Sequence, residues 1–299
     1  MSHRRLIAAV IALAWLGVGL YGVASYGHSY YVYRGFDPPQ DPPHVAGGRL
    51  VSAGFYSPAL RERRSYLIYL PPGYSPLQRY PVLYLLHGAP GRPRQFVDVA
   101  NAGVDLDVGV ARGRLRPFLI VMVDGRNGSF RSDTEWADTP QGRYESLVLD
   151  TVRAVDARWP TLQDRADRAI AGNSEGAFGA MNVTLRHLDV FSIVSSWSGY
   201  FRADSGGAFA HTTAAQRRAY SPADYVASLA GRLRRLPVHA FLYVGMVDPD
   251  RGLSTSFAGQ LRAAGADVRY AEYPGRHSWR LWRDEMPRVQ AFADRWFRR

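Results

Sequence analysis

The chain opens on an unbroken apolar run. Leu6 to Val23 carries no charge over eighteen residues and follows the basic lead Arg4-Arg5. That length stands between the core of a signal peptide and the roughly 20 residues that span a bilayer. Tyr21, Tyr26, Tyr30 and Tyr31 gather at its far end, where aromatic rings suit a membrane interface. Val23 and Ser25 match a small-x-small cleavage site poorly, which favours an uncleaved anchor with Arg4 and Arg5 inside the cell. Residues 1–25 are therefore expected to be a signal anchor or signal peptide, and the remainder to face outside from the cell membrane or to be secreted. Residues 35–48, GFDPPQDPPHVAGG, have little to bury and are rich in proline and glycine, so 26–48 reads as a semi-rigid spacer.

From Arg49 the pattern alternates. Strand-like apolar runs fall at Leu50–Tyr56, Ser65–Leu70, Val82–Leu86, Phe118–Val123, Arg168–Ala171, Phe191–Ser196, His239–Val244 and Val268–Glu272. Helical periodicity appears at Tyr144–Arg158, Ala177–Arg186, Pro222–Leu233, Leu253–Ala264 and Trp279–Phe297. The later strands are continuous apolar runs, as strands are when helices cover both faces of a parallel sheet. The first two alternate, as an antiparallel start would. The pattern predicts one α/β domain over 49–299, with a mostly parallel sheet of about eight strands and helices on both faces.

Composition narrows the chemistry. With no cysteine, disulfides, thiolate metal sites and a cysteine nucleophile are excluded. The formal charge is +11, and all 37 basic residues are arginine. They are scattered, with no basic stripe interleaved with aromatics, which argues against a nucleic-acid partner and leaves attraction to an anionic envelope surface. The histidines show no metal-ligand spacing, so neither a metal nor another cofactor is expected. Nothing in the sequence sets an oligomeric state.

Gly172-Asn173-Ser174-Glu175-Gly176 stands between a strand and a helix. A serine hydroxyl is a poor nucleophile until a base takes its proton and a pocket holds the oxyanion. A sharp strand-to-helix turn exposes the serine and aims the next N–H at the reacting carbonyl. The flanking glycines leave room for the close approach this requires. This arrangement resembles the nucleophile elbow of the α/β-hydrolase fold, in which the loop after an earlier strand supplies a second oxyanion donor. Here that loop is His87-Gly88-Ala89-Pro90-Gly91. Pro90 has no N–H, so the expected donors are the backbone amides of Ala89 and Glu175. His87, beside the glycine turn, is expected to be structural. An acid follows the next-to-last strand in Val247-Asp248-Pro249-Asp250, and His277 follows the last. Asp248 is nearer the strand end than the alternative acid, Asp250, and either could instead cap the helix near Leu253.

"YLIYLPPGY", "YPVLYLLHGAPG", "AIAGNSEGAFGAM" and "YPGRHSWRLW" together resemble the esterase family of the α/β-hydrolases. Its members include S-formylglutathione hydrolases, feruloyl esterases and secreted mycolyltransferases. The likeness covers roughly 49–297. It implies Ser174 as nucleophile, His277 as base, Asp248 as acid, and Ala89 and Glu175 as oxyanion donors. "DGRNGSFRSDTEWADTP" is similar to the mycolyltransferases in particular, which draw their acid, a glutamate, from the following helix. The corresponding Ser254–Gln260 has no carboxylate, which favours the esterase style of triad. The resemblance thus implies an exported serine carboxylic-ester hydrolase acting on an acyl-ester small molecule or lipid. Acyl transfer to a sugar or lipid hydroxyl is the alternative, and a non-catalytic envelope-binding protein a lesser one. Phe130, Trp136, Tyr200, Phe201 and Trp279 either line the acyl or acceptor pocket or belong to the core.

Overall fold

The computed structural model of the protein describes residues 3–129 and 133–298. Helix α1 (His3–Tyr33) comes first, and its stretch Val10–Tyr33 is long and apolar enough to cross a membrane. The helix thus continues eight residues past Ser25, into the stretch expected to be spacer; only the irregular segment from Arg34 to Gly48 separates it from the sheet. That segment lies against the domain: the guanidinium of Arg283 covers the Phe36 ring at 4.8 Å, and Gly48 N–H donates to Asp107 Oδ2 at 3.0 Å.

The antiparallel pair β1 (Arg49–Ser57) and β2 (Glu62–Leu70) leads into β3 (Val82–Leu86), α2 (Gln95–Asp98), α3 (Ala102–Ala111) and β4 (Leu119–Val123). A short ribbon, β5 (Asp138–Thr139) and β6 (Gly142–Arg143), precedes α4 (Tyr144–Arg158). Then come β7 (Arg168–Asn173), α5 (Glu175–Arg186), β8 (Ile193–Trp197), α6 (Ala214–Ala219), α7 (Pro222–Tyr225) and α8 (Ala230–Arg235). The chain closes with β9 (His239–Gly245), α9 (Arg251–Ala263), β10 (Asp267–Tyr273) and α10 (Trp279–Trp296). One sheet of eight strands runs β1-β2-β4-β3-β7-β8-β9-β10, parallel from β4 onward. This is the α/β-hydrolase arrangement.

The strand pleat divides the core. Val82, Tyr84 and Leu86 face one apolar cluster with α4, α5 and α9, while Leu83 and Leu85 face a second with α3 and α10. Every residue of β3, β4, β7 and β8 is buried, which accounts for the unbroken apolar runs of β3 and β4. Helix α3 gave no periodic signal because two of its ten residues are glycines serving close packing. A Cβ on Gly103 would lie 2.8 Å from the Tyr69 ring, and one on Gly109 2.4 Å from Leu115. The expected helix Pro222–Leu233 is broken into α7, a 3-10 turn and α8.

Strand order also locates the site. The chain passes from β3 to β4 on one side, then crosses to β7 on the other. The loops after β3 and β7 therefore leave the sheet in opposite directions and open a crevice at the carboxyl ends of the strands.

Candidate active site

Ser174 stands in that crevice at the junction of β7 and α5. Its backbone adopts φ 56° and ψ −121°, a left-handed conformation that costs a non-glycine residue about 1–3 kcal/mol. The neighbours enforce it. A Cβ on Gly176 would sit 2.0 Å from the Leu86 carbonyl oxygen, and one on Gly172 2.3 Å from the carbonyl oxygen of Gly176. Ser174 N–H donates to Trp197 O at 2.9 Å, tying the turn to the end of β8. The amide of Glu175 is the first N–H of α5, one of those a helix leaves without an intrahelical acceptor, and the helix dipole adds positive potential there.

The loop after β3 folds directly against this turn. A Cβ on Gly88 would meet Ser174 Cβ at 3.1 Å, and one on Gly91 would strike Gly88 O at 2.2 Å. His87 holds the loop in place. Its Nδ1 lies 3.0 Å from Gly88 O, and its Nε2 accepts from Gly125 N–H at 3.2 Å. Burial lowers its pKa to about 4, so the ring stays neutral and its bonds are all to backbone groups. Ala89, at the exposed tip, carries the second expected oxyanion donor.

Two further loops meet beyond β9 and β10. Met246 N–H donates to Tyr273 O at 2.9 Å and Val247 N–H to Gly275 O at 3.1 Å. This brings His277 Nδ1 to 3.2 Å from both carboxylate oxygens of Asp248, whose side chain is fully buried. Burial alone would raise the Asp248 pKa, but hydrogen bonds from His277, Ser198 and the Asp250 amide hold it below the usual carboxylate range. Asp250 is more remote, 3.8 Å from Nδ1, and burial raises its pKa. Its side chain does not cap α9. The ligand atoms of Asp248, Asp250 and His277 all lie within 4.8 Å of one another, a cluster that the His277–Asp248 hydrogen bond explains. Ser174 Oγ and His277 are not hydrogen-bonded to each other here, as is common before substrate tightens such a site.

The family profile described as "Putative esterase" matches residues 57–293. The chain belongs to this esterase family. It is 29% identical over 185 residues to an endo-1,4-beta-xylanase/feruloyl esterase of Xylanibacter ruminicola, covering 60% of this chain and 23% of that protein. An esterase of Mycobacterium tuberculosis is 31% identical over 122 residues, 40% of this chain and 25% of the relative. The chain thus spans about a quarter of the length of these curated relatives. Among solved structures, a ferulic acid esterase superposes with a TM-score of 0.76 at 25% identity, over 84% of this chain and all of that one. An S-formylglutathione hydrolase from Staphylococcus aureus shares the fold, with a TM-score of 0.68 at 15% identity over 83% of this chain and 99% of the other.

Around the elbow of this esterase, the aromatic side chains divide. Trp136 is fully buried, so it lies beneath the site rather than on a pocket wall. Its ring packs between Gly125 and Gly179, and its Nε1–H donates to His87 O at 2.9 Å. Phe201 is core, stacked on Phe257 at 3.9 Å. Tyr200 and Trp279 are half-buried and Trp279 packs edge-on against Trp282, while Phe130 falls outside the described residues. Three contributors escaped the sequence. Ser198, itself left-handed at φ 52°, accepts from Trp282 Nε1–H at 3.1 Å and bonds Asp248. Trp282 also packs edge-on against His277. Glu135, left-handed at φ 48°, takes the Tyr200 hydroxyl at 2.7 Å. The Glu175 side chain accepts from the amides of Thr134 at 2.8 Å and Glu135 at 2.6 Å. Its other oxygen, Oε2, is buried without a partner, and burial raises its pKa to about 8.

Proposed function

We propose that the protein is a serine carboxylic-ester hydrolase working through an acyl-enzyme. The left-handed Ser174 at the crevice, pressed against the Gly88 turn, carries this reading. In the proposed reaction Ser174 Oγ attacks the ester carbonyl while His277 Nε2 takes its proton. The N–H groups of Ala89 and Glu175 hold the oxyanion, each such donor contributing about 10²–10³ in rate. Asp248 orients His277 through Nδ1–H and stabilises the imidazolium. His277 returns the proton to the departing alcohol, the carbonyl re-forms as acyl-Ser174, and water repeats the sequence to release the acid. Relatives named as feruloyl esterases make hydroxycinnamate esters the first natural class to assay, beside simple acyl esters.

The test uses the full chain, a fluorophosphonate probe and p-nitrophenyl esters of increasing length. Labelling and turnover that vanish in Ser174→Ala, a loss of at least about 10⁴-fold, support the hydrolase. Acyl-sugar product formed at the expense of free acid when a sugar is added replaces hydrolysis with acyl transfer. An unlabelled wild-type protein means a non-catalytic scaffold.

The apolar, unburied stretch Val10–Tyr33 supports a second part of the proposal, a membrane anchor with the domain outside. The chain should then resist alkaline carbonate extraction from membranes. Release into the supernatant would mean that α1 does not span them.

A further inference from the structure

A cleft of about 450 Å³ lies between the end of α1 and the loop after β3, and ester hydrolysis makes no use of it. Arg34, Arg92 and Arg126 line it, together with Tyr31, Gln95 and Ser129, and among the described residues no carboxylate does. Along the chain these arginines are far apart, so the fold alone gathers them. Arg126 is neutralised by Asp124, with Nη2 to Oδ2 at 2.7 Å and Nε to Oδ1 at 2.9 Å. Arg34 and Arg92 meet no carboxylate among the described residues.

The Arg34 backbone and the Arg92 side chain are nevertheless held in place. Arg34 is the left-handed residue (φ 55°) just past α1, and its N–H donates to Tyr30 O at 2.9 Å. The Arg92 guanidinium lies 4.5 Å from the centre of the Tyr31 ring and donates from Nη2 to Tyr31 O at 3.2 Å. Its backbone N–H is fixed by Gln95 Oε1 at 3.0 Å. Two cations without a direct carboxylate partner in one concavity repel each other, Asp98 offering Arg92 only a through-space attraction, and an anion entering the cleft relieves that cost. Planar guanidinium forks match the oxygens of a tetrahedral phosphate group, which also fits a cleft with hydroxyl and amide donors beside the cations.

We infer that this cleft binds a phosphate group and, resting on the proposed anchor role of α1, that the group belongs to a membrane lipid. Tyr31 lies at the end of the apolar stretch, where a spanning helix leaves the hydrocarbon for the headgroup layer. Pro90 and Gly91, next to the expected donor Ala89, form the opposite wall. A phosphate held there bridges the anchor and the loop that shapes the oxyanion site.

The test is calorimetric titration of the full chain in a neutral detergent with three probes: dioctanoylphosphatidylglycerol, sn-glycerol 3-phosphate, and dioctanoylglycerol, which lacks phosphate. Binding of the phospholipid alone, weakened about tenfold or more in Arg34→Gln/Arg92→Gln, is the expected result. Equal binding of glycerol phosphate keeps the phosphate site and overturns its lipid source. No heat with either phosphate probe, or equal affinity in the variant, overturns the site. Should the double variant fail to fold, Arg92→Lys decides: it keeps the charge but loses the fork, so an intermediate loss is expected and unchanged affinity counts against the site. Turnover of p-nitrophenyl esters involves no phosphate, so the hydrolase reading and this one fail independently.

Discussion

At the scale of single residues, two carboxylates near His277 differ sharply in environment. Asp248 is buried, doubly approached by Nδ1 and stabilised in its charged form, whereas Asp250 is half-exposed and farther away. Asp248→Asn should lower kcat by about 10⁴-fold, because the amide favours the wrong tautomer of His277. Asp250→Asn should change it by less than about tenfold, and steady-state kinetics on one ester separates them. Glu175 gives a stability prediction. Its carboxyl ionises near 4.5 when unfolded and at about 8 when folded, so the native state keeps a proton the unfolded chain releases. The contribution of Glu175 to stability is therefore constant below pH 4.5 and falls as pH rises toward 8. His87 acts in the opposite sense, since the unfolded ring takes a proton at 6.5 and the folded one only at about 4, so its contribution is lost between those values on acidification. Between pH 6.5 and 8 only the Glu175 effect of these two remains. Thermal melts over that interval should slope downward for wild type and less steeply for Glu175→Gln, with Glu135, also raised by burial and by the Glu175 charge, sustaining part of the slope.

At the scale of elements, the elbow depends on how closely α5 approaches the end of β3. Gly176→Ala should cost about 3 kcal/mol or more in urea unfolding, because the new methyl meets the Leu86 carbonyl, which is backbone and has little room to yield. That junction was legible from the chain alone, since a buried apolar strand, two glycines and a helical run are all local signals. The order of loops bearing Asp248 and His277 was legible for the same reason. Other features depend on tertiary contacts and left no local signature. Ser198 joins Trp282 to Asp248 across 84 positions of chain at one end and 50 at the other. Trp136 resembles any aromatic residue in a polar loop, and only the fold shows it wedged between two glycines beneath His87. Helix α3 was hidden by the glycines and acids that let it pack against Tyr69 and Leu115.

At the scale of the whole molecule, the sheet is a platform with two apolar clusters on its faces, and the proposed chemistry is confined to the loops at one end. The arginine excess, diffuse along the sequence, becomes local once folding brings segments 34, 92 and 126 together. The backbone of Ser174 also concerns the molecule as a whole. Its left-handed geometry is a debt of about 1–3 kcal/mol held by the packing around it. Glycine has no such penalty there and gives back only about 0.5–1 kcal/mol through a floppier unfolded chain. Ser174→Gly should thus melt at a higher temperature than wild type while turning over no ester, as differential scanning calorimetry beside an activity assay will show. On the proposed mechanism a search for heat-tolerant variants judged by melting alone would enrich dead protein, because durability and reactivity then compete for the same residue.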